Sequence, residues 1–244
     1  MKVFQFNDNL KGLTMAGVII GAWLISLIFL LTVEINEIPV PVILLGIIWQ
    51  TFLYTGLFIT AHDAMHGTVF PKNRKANDLI GSLAVKLFAL FSYQRMLKKH
   101  WEHHRHPASS KDPDFHDGIH PGFIRWYSHF MMSYVTWWQI LGMAITFNLF
   151  IYLCKIETIN LVIFWIIPPL LSTFQLFYFG TYLPHREPGE PFRDDHRARS
   201  NDYRVLWSFL SCYHFGYHWE HHEYPHIAWW RLPKIRKLTL KKSG

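Results

Sequence analysis

The residues most able to do chemistry in this 244-residue chain are histidines, and they occur in clusters. The pentapeptide His-Trp-Glu-His-His appears twice, at 100–104 and at 218–222. On a helix, residues three and four apart share a face, so each copy directs three imidazole rings roughly one way. His62 and His66, four residues apart, form a third cluster. Imidazoles grouped in this manner predict a site that binds metal.

Nine histidines are candidate metal ligands: His62, His66, His100, His103, His104, His185, His218, His221 and His222. Nine are too many for one ion, but they suit two ions with four or five ligands each. Imidazole binds zinc, copper, iron and nickel. An apolar membrane setting, in which dioxygen dissolves, favours iron. The two cysteines, Cys154 and Cys212, lie far apart and outside any CxxC pattern, which excludes a thiolate site.

Two further histidines and five acids near the clusters have roles that the sequence leaves open. His106 follows its cluster by two residues, which on a helix points it elsewhere. His214 lies four residues before His218, on the same predicted face, so it could be a ligand or a hydrogen-bond partner. The acids could orient imidazoles or be solvated or salt-bridged; they are Asp63, Glu102, Asp112, Asp114 and Glu220.

The elements that position the histidines are long apolar runs, at 12–33, 38–61, 130–154 and 158–183. Each is long enough to cross a bilayer, which takes about 20 apolar residues. They predict an all-α integral membrane protein with a short N-terminal arm and four spans in two hairpins. The apolar segments 79–97 and 205–217 are interrupted by charge or too short, and we expect interfacial helices there. Pro168 and Pro169 should kink the fourth span. We predict a single domain over 1–244.

The placement of charge predicts which side of the membrane holds the histidines. The net charge is +7, and Lys and Arg crowd 72–111, 186–204 and the tail after Arg231, whereas the loop between the first two spans has only Glu34 and Glu37. By the positive-inside rule, both termini, the middle loop and the histidine-rich cap are cytoplasmic. Because the basic residues flank membrane segments, we expect anionic lipid or an acidic electron donor as partners, and no nucleic acid.

The pattern HxxxH, HxxHH, HxxHH on paired spans resembles the membrane fatty-acid desaturase and hydroxylase superfamily of di-iron oxygenases. The flanking residues give a finer match. The segments HDAMHG at 62–67, FGTYLPH at 179–185 and CYHFGYHWEHHEYP at 212–225 look like those of bacterial and cyanobacterial β-carotene ketolases. These motifs are highly specific, and the likeness covers nearly the whole chain.

The resemblance implies a desaturase-like fold whose cytoplasmic cap holds two irons on the nine histidines, with His185 as the isolated ligand after the fourth span. It implies a carotenoid substrate, oxidised with O2 at carbon 4 of the β-ionone ring, from β-carotene through echinenone to canthaxanthin. Related desaturases often have Asn four residues before the isolated histidine, where this chain has Thr181. Thr181 or a neighbouring acid would have to substitute for it.

Electrons must come from a separate protein such as ferredoxin, because the chain has no GxGxxG or other nucleotide-binding motif. Three other functions stay open on the residues. The same histidines could serve a carotenoid 3-hydroxylase or a fatty-acyl desaturase. A non-catalytic membrane metal-binding or transport protein is the third. Transporters hold ligands near the bilayer midplane between repeats, whereas these histidines lie past the ends of the spans.

Overall fold

Two long helices form a hairpin in the structure, which is a computed structural model that describes residues 9–187, 192 and 194–243. Helix α1 (Asn9–Thr32) and helix α2 (Val40–Met65) pack against each other, and the Ser26 hydroxyl donates to Gln50 Oε1 at 2.8 Å. Both agree with the predicted spans to within a few residues. Helix α2 continues past residue 61, as expected, and so carries His62 in its last turn. The predicted N-terminal arm, at 1–8, lies outside the described residues.

The second long partner of α2 is helix α7 (Thr158–His185), which ends on a candidate ligand. The Thr55 hydroxyl on α2 contacts Ser172 Oγ at 2.8 Å and Gln175 Oε1 at 2.6 Å, so hydrogen bonds hold the two helices together in an apolar setting. Two π-helical turns, Val162–Ile166 and Tyr178–Tyr182, interrupt α7 just before its prolines. Proline has no N–H to donate, and its ring crowds the preceding turn of a helix. A widened turn before each proline accommodates this interruption of the hydrogen-bond pattern.

The predicted span at 130–154 differs from the structure. Residues up to 134 belong to helix α5 (Phe123–Tyr134), and helix α6 (Trp137–Tyr152) continues from it after a bend of 84°. The chain bends because Val135 is extended and Thr136 caps α6, its hydroxyl accepting the Gln139 N–H at 3.2 Å. The length of an apolar run contains no information about such a cap. The prediction of one uninterrupted helix over 130–154 is therefore wrong.

Three described helices, α1, α2 and α7, are long and apolar enough to cross a bilayer, and the bent pair α5–α6 would make a fourth. The described residues are otherwise helical or irregular. The chain is therefore an all-helical protein with three to four candidate spans. The side of the membrane on which the ends of these helices lie stays a prediction.

The two predicted interfacial segments are also divided. Segment 79–97 is split between helix α3 (Arg74–Ala89) and helix α4 (Tyr93–Arg105), because Leu90 adopts a left-handed conformation with φ of 57°. Segment 205–217 is helical only in α8 (Val205–Cys212), since Tyr213 and His214 are left-handed as well. Helices α9 (His218–Glu223) and α10 (Leu232–Ser243) complete the chain. The breaks turn α4 and α9 toward the ends of α2 and α7.

Candidate metal centre

All nine candidate histidines come together in two adjacent groups at the ends of α2 and α7. In each group the potential ligand atoms lie within 4.8 Å of one another. The five-histidine group consists of His62, His66, His100, His104 and His221. The four-histidine group consists of His103, His185, His218 and His222. The groups touch, because the rings of His104 and His222 stack with centroids 4.3 Å apart.

Each copy of the repeated pentapeptide serves both groups. In the first copy, His100 and His104 enter the five-histidine group and His103 the four-histidine group. The second copy has the reverse arrangement, with only His221 in the five-histidine group. The physical reason is that positions three and four residues along a helix differ in direction by about 100°. Helices α4 and α9 therefore form two opposing walls, each facing both groups.

The arrangement of the ring nitrogens fits bound metal. The Nε2 atoms of His104 and His221 are 3.0 Å apart, and those of His103 and His222 are 3.1 Å apart. Neighbouring nitrogen ligands at a metal are also about 3 Å apart, since metal–imidazole bonds are about 2.1 Å long. The buried Nε2 atoms of His62 and His185 have no hydrogen-bond partner within the described chain. Unpaired buried nitrogens are costly, and coordination of a metal would satisfy them.

The electrostatics of the site favour neutral imidazoles, which can donate a lone pair. Burial, followed by repulsion from the other rings, lowers the pKa of His66, His100, His104, His221 and His222 well below the usual value. These rings are therefore uncharged at neutral pH. A cluster of uncharged imidazoles in a low-dielectric setting is the protonation state that binding of metal cations requires.

His103 differs from the other rings because a carboxylate holds its outer nitrogen. Burial is the largest single effect and lowers its pKa, but the charges of Asp112 and Asp114 and the hydrogen bond to Asp112 together raise the pKa of His103 to about 9. Both Asp112 oxygens lie 3.0 Å from His103 Nδ1, and they also accept the backbone N–H groups of Ala108 and Asp114. Asp112 thus keeps the Nδ1 proton and directs Nε2 into the four-histidine group, as carboxylate–histidine–metal triads do.

We expect Asp112→Asn to weaken metal binding in the four-histidine group by about 10- to 100-fold, because the amide orients His103 less firmly and lowers its basicity. Titration of the metal-loaded protein with a chelator measures this effect. Asp117→Asn is the matched control, since Asp117 contacts His120 Nδ1 at 2.7 Å outside both groups. Equal metal affinity in the Asp112 and Asp117 variants would contradict the assigned role.

The two glutamates of the repeated pentapeptide have different environments. Glu102 is part exposed and lies 4.0 Å from Lys98. Glu220 is fully buried, and its carboxylate accepts hydrogen bonds from Ser200 Oγ, Arg236 Nη1 at 3.0 Å and Thr239 Oγ1 at 3.1 Å. Through Glu220, helix α10 fixes the orientation of α9 and its three histidines. No sequence signal identified Arg236, because it lies in an ordinary basic tail.

The residues that the sequence left open lie outside the two groups. His106 is the exposed C-cap of α4. His214 is in the left-handed turn after α8, so it does not share a face with His218, and that expectation is wrong. Its Nδ1 contacts Ser208 Oγ at 3.2 Å instead. Thr181, four residues before His185, is buried and lines the cavity described next.

An apolar cavity reaches both groups. His62 and His100 line it from the five-histidine group, and His103 and His218 from the other. Most of its remaining wall is hydrophobic and includes Phe58, Met65, Phe88, Phe91, Phe130 and Phe215. The cavity can therefore place an apolar molecule beside both candidate metal positions.

A glycine permits one of the cavity's closest contacts. A Cβ atom at Gly180 would lie 2.1 Å from the Phe215 ring, so only glycine leaves room for it. The Phe215 ring in turn lies 4.8 Å from the His62 ring and 5.2 Å from the His218 ring, centroid to centroid. Phe215 thus packs against one histidine of each group at the cavity wall. No spacing rule in the sequence pairs Gly180 with Phe215.

Comparison with known proteins places this geometry in a family. A family model described as fatty acid desaturase matches residues 38–152 and 132–243, which together include every candidate ligand. The chain belongs to the fatty acid desaturase family. The resemblance drawn from the histidine motifs is thereby confirmed.

Within the desaturase family, the similar curated proteins are ketolases. Beta-carotene 4-ketolase 3 of Haematococcus lacustris is 41% identical over 262 residues, covering 95% of this chain and 81% of that protein. Beta-carotene ketolase of Paracoccus sp. (strain PC1) is 41% identical over 235 residues, covering 95% and 94%. Zeaxanthin 4-ketolase of Chlamydomonas reinhardtii is 43% identical over 225 residues, covering 90% of this chain and 50% of that protein. The chain is therefore an enzyme, an oxygenase of the ketolase branch.

Proposed function

We propose that this desaturase-family protein is a β-carotene 4-ketolase, which converts β-carotene through echinenone to canthaxanthin. The observation that carries the proposal is the apolar cavity in contact with both histidine groups. A carotenoid ring is a hydrocarbon, and a pocket lined by phenylalanine and methionine suits it. The ketolases that are 41–46% identical over most of this chain support the same substrate class.

The nine histidines would hold two irons, five ligands at one position and four at the other. Two irons bound there would supply the activation of dioxygen that oxidation of an unactivated C–H bond requires. Imidazole ligands without thiolates are compatible with iron. The four-histidine group is buried at 1–4% exposure, which keeps bulk water from that side of the cavity.

The reaction balances as two successive hydroxylations at the same ring carbon. Each replaces one C–H by C–OH and consumes one O2, two electrons and two protons, with release of one water. The resulting geminal diol loses water and leaves the ketone. The described residues supply the position of the ring, by packing it between the phenylalanines and the histidine groups. The electrons come from a separate carrier protein of the ferredoxin type.

Expression in a bacterial host that accumulates β-carotene tests the proposal. We expect echinenone and canthaxanthin to appear in the extracted pigment, identified by chromatography and mass. Zeaxanthin alone would indicate the 3-hydroxylase, and unchanged pigment with altered lipid unsaturation would indicate the acyl desaturase. A His103→Ala variant expressed at the same level is the control, and we expect it to leave β-carotene unconverted.

We also propose that the metal centre and both chain ends face the cytoplasm. Helices α2 and α7 both end at the histidine groups, which supports a position of all the candidate ligands at one membrane face. The basic residues concentrated near that face support the cytoplasmic side. Labelling single introduced cysteines with an impermeant reagent in intact cells measures the orientation; labelling of a cysteine on α4 from outside would contradict it.

A further inference from the structure

The two histidine groups differ in their access to solvent. Every member of the four-histidine group is buried. In the five-histidine group, His66, His100 and His104 are only partly buried, and two of these three lie on α4. An electron from a soluble protein therefore has a shorter route to the five-histidine group. The residues that cover this group on the outside define where such a protein would bind.

Trp101 covers the five-histidine group from the outside. Its ring centroid lies 5.2 Å from that of His66, 5.7 Å from that of His104 and 6.3 Å from that of His100. The Trp101 side chain is itself partly exposed. It is thus an aromatic ring in contact both with solvent and with three candidate ligands.

The outer face of α4 around Trp101 is basic. Lys98, Trp101 and Arg105 follow one another at helical spacing on this face, and both cations are exposed. Helix α4 as a whole has four basic side chains, Arg95, Lys98, Lys99 and Arg105, against the single acid Glu102. Glu102 lies 4.0 Å from Lys98, whose side chain nevertheless remains 78% exposed. The net positive charge of this face complements an acidic protein surface.

The second copy of the pentapeptide lacks these features. Helix α9 has two acids, Glu220 and Glu223, and no Lys or Arg. The corresponding tryptophan, Trp219, donates its indole N–H to Asp194 Oδ2 at 2.6 Å. Of the two tryptophans that the repeat places next to the histidines, Trp101 alone is set in a basic helix face.

We propose that an acidic one-electron carrier protein docks on the outer face of α4, over Trp101, and delivers electrons to the five-histidine group. The inference rests on the proposed function, in which each hydroxylation takes two electrons from outside the chain. Each docking event would oxidise the carrier by one electron, which the metals held by the histidines would accept, so two events would supply the two electrons of one hydroxylation. Lys98 and Arg105 hold the carrier, and Trp101 lies between it and the histidines.

Binding is measured with the full-length, iron-loaded protein in detergent and an acidic [2Fe–2S] ferredoxin as the probe. We expect Lys98→Glu to raise the Kd on the order of tenfold at low ionic strength, because it reverses a charge that attracts the probe. High salt should reduce the difference between wild type and variant. The matched control is Lys155→Glu, since Lys155 is an exposed lysine before Thr158, at the end of α7 remote from His185. We expect its Kd to equal that of the wild type.

Turnover distinguishes docking from damage to the site. With ferredoxin at limiting concentration, Lys98→Glu should slow ketone formation by a similar factor, whereas with dithionite and a viologen mediator its rate should match the wild type. Trp101→Leu should slow the ferredoxin-driven rate at unchanged iron content, and Trp101→Phe should restore most of that rate.

An unchanged Kd in Lys98→Glu, or an equal loss of turnover with both reductants, would overturn the docking site. Lys98-dependent ferredoxin binding without any ketone from the wild type would refute the proposed function and leave the docking site standing.

Discussion

The His221→Ala variant is expected to lose the metal bound with His104, and not the metal bound with its sequence neighbour His222. The structure separates the last two histidines of the second pentapeptide, placing His221 in the five-histidine group and His222 in the four-histidine group. The variants His221→Ala and His222→Ala should each retain about one iron per chain by elemental analysis. Turnover should fall by more than about 100-fold in both variants. Loss of a residue that only hydrogen-bonds to a metal ligand costs about 10- to 100-fold in activity, and loss of the ligand itself should cost more.

Which iron remains can be measured by its accessibility. Under the proposed two-iron assignment, the iron left in His221→Ala would lie in the buried four-histidine group, so a chelator should remove it slowly. The iron left in His222→Ala would lie in the partly exposed group and should be removed quickly. His104→Ala is the matched control, and it should behave as His221→Ala does although the two residues are 117 positions apart. Identical removal rates in His221→Ala and His222→Ala would refute the division into two groups.

The Arg236→Met variant is expected to destabilise the protein more than any change at an exposed charge. Arg236 donates to the buried carboxylate of Glu220 at 3.0 Å, and its loss leaves that carboxylate with hydroxyl donors only. Removing one partner of a buried ion pair costs about 3–5 kcal/mol. Because the Arg236 side chain is 20% exposed, we expect the lower end of that range. For a chain of this size, that corresponds to a fall in Tm of roughly 10 °C.

Thermal unfolding in detergent measures this effect, and the repeat itself supplies the control. Glu102→Gln changes the same position of the other pentapeptide, where the glutamate is part exposed, and should change stability by less than about 0.5 kcal/mol. The double variant Glu220→Gln with Arg236→Met should be more stable than Arg236→Met alone, since no unpaired buried charge remains. An equal loss of stability in Glu102→Gln and Arg236→Met would contradict the structural difference between the two copies.

Local periodicity determined a large part of the fold and of the candidate site. The spans of α1, α2 and α7 follow from apolar length alone, because a bilayer core requires it. The shared faces of the pairs four residues apart, His62/His66, His100/His104 and His218/His222, follow from the helical repeat, whereas the middle histidine of each HxxHH enters the other group. The flanking residues of His62, His185 and His218 identified the family, which the comparisons confirm.

Predictions failed where a local hydrogen bond or a left-handed residue interrupted an apolar run. Thr136 caps α6 and bends the chain by 84° inside the predicted third span. Leu90 ends α3 within the first predicted interfacial helix, and His214 leaves the face of His218 for the same reason. Composition and periodicity average over such positions, so a single backbone conformation goes undetected.

The sequence predicted that nine histidines form a metal-binding site at the ends of membrane helices, and its motifs identified the family. The packing of the helices establishes which histidines share a group, that Glu220 is buried while Glu102 is not, and that Trp101 lies on a basic outer face. The reason is that a repeated pentapeptide specifies identical local geometry. The environment of each copy is set by what packs against it. Asp112 and solvent surround α4, whereas Arg236 of α10 contacts α9 from an ordinary basic tail that the sequence does not single out.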